Sequence, residues 1–160
     1  MRRYFAAVCL TVATTTLSAA LAANLPPDSA GDKALHDYVL TMPKVRAYEV
    51  ATAAAKAATK ADASLRTEEA KADNEPDKTL ADIKAKLARH PRLFAFFAKQ
   101  GLSMDDAVLV PLTLMNACTV AQYPQIAAKM ADTVSAGQIA FCKQNMSELK
   151  KMAFFGGSAE

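Results

Sequence analysis

The chain has 160 residues, with 19 Lys plus Arg against 16 Asp plus Glu, a formal net charge of +3 and 52% hydrophobic residues. That length holds one hydrophobic core, not several. A nucleic-acid partner would need clustered cations, but Lys56, Lys60, Arg66, Lys71, Lys78, Lys84, Lys86 and Arg89 are interleaved with Asp62, Glu68, Glu69, Asp73, Glu75, Asp77 and Asp82, so that class is set aside. Glycine is scarce, alanine is abundant and β-branched residues come singly, which predicts an all-α fold.

Met1-Arg2-Arg3 leads into an uncharged run that closes on Ala20-Leu21-Ala22. A cationic start, an apolar stretch and small residues at the end form the pattern of a Sec-type signal peptide cleaved after Ala22, which predicts a periplasmic or secreted protein. The alternative is an uncleaved anchor, since about 18 apolar residues just span a bilayer. Thr11 and Thr14-Thr15-Thr16 dilute that run, and Cys9 lies inside it, not after it where a lipidated cysteine stands. Cleavage leaves 138 residues with 17 basic and 16 acidic side chains and only two cysteines. No further run of about 18 apolar residues is read from the sequence, so no stable membrane insertion is expected after processing.

Residues 23–33 read as a flexible leader, and a short helix over Ala34–Leu40 opens a helical domain spanning 34–153. Thr41 then caps a helix with Pro43 in its first turn. Its apolar stripe, Val45, Tyr48, Thr52, Ala55 and Ala58 or Thr59, dwindles to small residues and must lean on something bulkier. Residues 62–78 are polar, with Leu65 the only large apolar side chain, and predict an exposed helix or mobile connection broken at Asn74-Glu75-Pro76. Thr79 with Asp82 resembles a capping box opening Leu80–Ala88.

His90-Pro91 ends that helix and starts another, in which Leu93, Phe94, Phe96 and Phe97 crowd together as the expected hydrophobic centre. Gly101 supplies its left-handed terminus. Ser103 with Asp106 repeats the capping pattern before the most apolar stretch, Ala107–Met115, where Pro111 predicts a kink. Asp105 and Asp106 beside that stretch are explained by capping and the helix dipole. After Tyr123-Pro124 and a short segment over 125–133, Ser135 and Gln138 form a third box. The last helix, Ala136 to about Met152, presents Ile139, Cys142, Met146 and Leu149 on one stripe, and 154–160 form a tail. Four or five helices, bundle-like or orthogonal, are the expected sum.

Cys118 and Cys142 are an even pair on apolar helix faces of an exported chain, which favours a disulfide over two buried thiols. A redox-active pair lacks Cys-x-x-Cys. His36 and His90 have no metal-ligand spacing, haem attachment is absent, and no nucleophile–base pair or phosphate loop can be named. No catalytic, cofactor or metal residue is assigned.

From Leu87 to Met152 the sequence carries Leu-Ala-x-His-Pro-x-Leu, Gly-Leu-Ser-Met-Asp-Asp and Val-Ser-x-x-Gln-Ile-Ala-Phe-Cys-Lys-Gln-Asn-Met-Ser-Glu-Leu. These motifs are similar to those of a group of small exported bacterial proteins of unknown function. In that group a proline-started helix precedes Gly-Leu-Ser, and the last helix lies near an Asn-x-x-Phe or Gln-x-x-Phe element, here Gln138 and Phe141. The resemblance implies a Gram-negative periplasmic or secreted helical domain and brings no catalytic residues. The expected function is a non-catalytic binding or interaction module, in which Phe94, Phe97, Leu109, Met115, Met130 and Met146 line a groove for an apolar ligand or protein segment. An ordinary core is the other account of those six side chains. Alternatives are a Spy-like stress chaperone, although Leu112-Thr113-Leu114-Met115-Asn116 has Asn where the group's mark has Gln, or a metal carrier or enzyme using His36 or His90 in a partner-completed site.

Overall fold

Alanine and leucine dominate segments bounded by capping residues, and in the computed structural model, which describes residues 29–73, 77 and 79–152, those segments are helices. Among the described residues there are seven α-helices and one 3₁₀ segment: α1 Ser29–Asp37, α2 Met42–Ala61, α3 Ala63–Asp73, α4 Leu80–Arg89, α5 Pro91–Lys99, α6 Met104–Gln122, the 3₁₀ segment Pro124–Met130, and α7 Ala136–Leu149. The count exceeds the four or five expected, because the short and polar segments are helical as well. The signal peptide, the leader as far as residue 28, the Asn74-Glu75-Pro76 break and the Phe154-Phe155 tail lie outside the described residues. Helix begins at Ser29, so residues 29–33 belong to α1 and not to a flexible leader.

Each chain break has a local cause. At Thr79–Asp82, Ser103–Asp106 and Ser135–Gln138 the side chains of cap and third residue bond each other's backbone amides reciprocally, satisfying donors that a helix start leaves open. Thr41 occupies the cap position of α2 without a side-chain bond, with Pro43 in the first turn. After α5, Gly101 takes φ +75°. Its amide donates to the Ala98 carbonyl at 3.0 Å and the Leu102 amide to Phe97 at 3.1 Å, the paired bonds of a Schellman ending.

The core is organised around α6, not α5. α6 runs unbroken through Pro111, and nine of its residues are buried, among them Val110, Thr113, Leu114, Ala117 and Cys118. By length and composition it is apolar enough to cross a membrane, which the sequence reading had not anticipated, and half of that apolar window is buried by neighbouring helices. α7 makes the most extensive contact with it. Cys118 and Cys142 are joined across that contact, 24 residues apart in sequence and with Cα atoms 5.3 Å apart.

α5 serves two clusters. Phe97 and Phe94 pack on the main core, while Leu93 and Phe96 form a satellite with Leu65 and Ala58. The bulky partner that α2 needs is Phe97, whose ring centroid lies 5.4 Å from that of Tyr48. A third cluster gathers Leu80, Val108 and Leu109, with Leu35 and Ile83 beside them. Leu65 is 7% exposed, so the polar segment around it reaches the satellite core after all.

Candidate interaction site

Between α1 and α2 the chain turns through four non-helical residues, Tyr38 to Thr41. The carbonyls that end α1 are left open by the helix; the Tyr38 amide donates to that of Leu35 at 3.3 Å, and α7 supplies a further donor. Gln138, 3% exposed, directs its Nε2 to the carbonyls of Leu35 at 2.7 Å, His36 at 3.0 Å and Tyr38 at 2.8 Å. Its Oε1 meanwhile accepts from the Ser135 amide at 2.9 Å. One side chain therefore starts α7 and ends α1.

On the other side of the corner, the Tyr38 hydroxyl donates to Asp106 Oδ1 at 2.6 Å and Lys44 Nζ donates to the same oxygen at 2.7 Å. Lys44 also lies 4.9 Å from the Tyr38 ring centroid, within cation–π range. Asp106 Oδ2 accepts from the Ser103 amide at 3.1 Å and hydroxyl at 2.7 Å. Partial burial alone raises the Asp106 pKa, but the bonds from Lys44, Tyr38 and Ser103 outweigh it and hold the carboxyl far below the usual range. Burial, and then the Asp106 carboxylate, push the Tyr38 phenol well above its ordinary value. Both groups keep one charge state at neutral pH, as suits anchors of the corner.

Beside the braced corner lies an open hollow of about 200 Å³, lined by residues 36–40 from the corner and by Ser135, Gly137, Gln138 and Phe141 from α7. Val39, on its rim, is 71% exposed, the highest value for a large hydrophobic side chain among the described residues. His36 Nδ1 lies 3.0 Å from Asp37 Oδ1; the hydrogen bond from Lys33, then that from His36, lowers the Asp37 pKa. Ser135 Oγ accepts from the Gln138 amide at 3.4 Å, a capping role that explains its place. The volume is below the roughly 300–1,000 Å³ of pockets that enclose drug-sized ligands. It suits a side chain.

The six side chains expected to form a groove are distributed as follows. Phe97 is buried and Phe94, Met130 and Met146 half-buried on the main core, Leu109 is buried in the cluster with Leu80, and Met115 is half-buried on α6. None of them lines the hollow. His36 and His90 have separate carboxylate neighbours, Asp37 and Glu68. Among the described residues no group of three or more His, Cys, Asp or Glu side chains is placed to hold a metal.

Sequence reasoning identified Gln138 and Asp106 as capping residues but missed their distant partners, about 100 and 60–70 residues away. The Gln-x-x-Phe element was the one usable signal, because Gln138 and Phe141 both line the hollow. No family profile, curated protein or solved structure matches the chain.

Proposed function

We propose that this protein is an exported, non-catalytic interaction module and that the corner hollow receives an apolar side chain of a partner protein segment. The observation that carries the reading is Val39, 71% exposed on four residues braced from two sides by Gln138 and Asp106. A single exposed hydrophobic residue is ordinary on a protein surface. One fixed on a braced backbone beside a concave volume loses little conformational entropy when a partner covers it. The N-terminal pattern supports export, and a buried cysteine pair suits an oxidising compartment.

The test is site-specific photo-cross-linking in cells producing the full chain, with the probe at position 39 and, as control, at Val50, which is 52% exposed. A discrete protein adduct from 39 and none from 50 is expected. Equal or absent labelling at the two positions contradicts the assignment. Edman sequencing of the exported form should begin at Ala23; a chain that keeps Met1 and stays with the membrane contradicts export by a cleaved signal.

A further inference from the structure

The polar helix α3 has an unusual attachment. Of its 11 residues only Leu65 is large and apolar, and it packs in the satellite cluster with Leu93, Ala58 and Phe96, apart from the main core. An isolated helix of about that length is marginal in water, so α3 depends on what it lies against. Around Leu65 the holding groups are polar. Arg92 of α5 reaches Asp62 at 2.8 Å, the Ser64 hydroxyl at 3.0 Å and Glu68 at 3.7 Å. His90 lies 3.7 Å from Glu68. The Arg92 side chain is 50% exposed and that of Asp62 42%, so the Arg92 contacts together hold α3 by only about 1 kcal/mol and are screened by salt.

The joint to α2 is one residue, Asp62, in an extended conformation with φ −111° and ψ 111°. Its carboxylate accepts from the Ser64 amide at 2.8 Å and hydroxyl at 2.7 Å, so the start of α3 is capped from the hinge itself. The surfaces facing α3 belong to elements held elsewhere: α2 and α5 meet the main core through Tyr48 and Phe97. No residue of α3 belongs to the main apolar core, so removing α3 from its seat chiefly uncovers Leu93 and Phe96.

We propose that α3 is a hinged cover which opens as a unit about Asp62, with Arg92 as its latch, and which controls exposure of the apolar strip formed by Ala58, Leu93 and Phe96. Local opening of a segment with few apolar contacts is expected to precede global unfolding. The inference concerns a different face from the corner hollow and stands or falls separately from it.

Hydrogen exchange followed by mass spectrometry on the mature disulfide-bonded protein tests the cover. Peptides of 63–73 should exchange by an opening that low denaturant concentrations barely accelerate. Arg92→Ala should speed that exchange about fivefold or more and leave α6 and α7 within about twofold, whereas Arg46→Ala, which removes the exposed pair with Glu148, should not change it. In a Leu93→Cys variant the new thiol should be alkylated at the α3 opening rate. Exchange of 63–73 with the protection and denaturant dependence of α6 overturns the proposal. So does an Arg92→Ala effect spread equally over all helices, an absent one, or alkylation of Cys at 93 only at the global unfolding rate.

Discussion

Gly101 and Thr113 carry opposite lessons about single residues. Gly101 at φ +75° has open space where a Cβ would stand, so the cost of Gly101→Ala is purely conformational, about 1 kcal/mol, readable as a lower urea midpoint at unchanged slope. Thr113 is fully buried and its hydroxyl has no hydrogen-bond partner. Thr113→Val keeps the shape and removes an unsatisfied polar group, and should raise stability by about 1 kcal/mol; a loss of similar size in thermal unfolding contradicts that account. Gln138→Glu keeps the oxygen that caps α7 but turns a carboxylate toward three carbonyls. It should cost about 3 kcal/mol at pH 7. The repulsion raises the folded-state pKa of the new carboxyl, so stability is regained as pH falls through that value, and urea titrations at pH 7 and pH 5 should differ in that sense.

Among the elements, Asp106 ties the corner after α1 to α2 and α6. Asp106→Ala removes a cap and the acceptor of Tyr38 and Lys44, and should cost about 2 kcal/mol at neutral pH. The folded pKa is depressed, so the contribution is complete above about pH 4, the unfolded carboxylate value. It is lost as pH falls through the lower folded value. The stability gap between wild type and variant should therefore hold above about pH 4 and narrow progressively below it. All three capping boxes were legible in the sequence, because a cap is a relation between residues three apart. Leu65 was misjudged for the same reason: its partner Leu93 is remote in sequence, and one leucine among charges gives no periodic signal. Phe94 and Phe97 were correctly sensed as core-forming, but adjacent aromatic residues cannot announce that Leu93 and Phe96 face a separate cluster.

For the whole molecule, the Cys118–Cys142 link spans the α6–α7 contact at the centre of the core, with both residues at most 1% exposed. Replacing both by Ala should lower stability by about 3 kcal/mol. Reduction of the native protein should require an opening that exposes the sulfurs, so its rate should fall with conditions that slow unfolding. The pairing was inferable from the expected export and the two cysteines that would remain after it; the hollow was not, since it forms where two helix ends about a hundred positions apart in sequence happen to meet. Gly137 offers the sharpest test of whether that hollow is the contact surface. A Cβ there meets only Ser135 Oγ, at 3.9 Å, and its backbone is ordinary, so Gly137→Leu fills the hollow and, by helix propensity, stabilises α7 by up to about 1 kcal/mol. Cross-linking from position 39 should disappear in Gly137→Leu while the melting temperature holds or rises; an undiminished adduct in that folded variant would contradict the assignment.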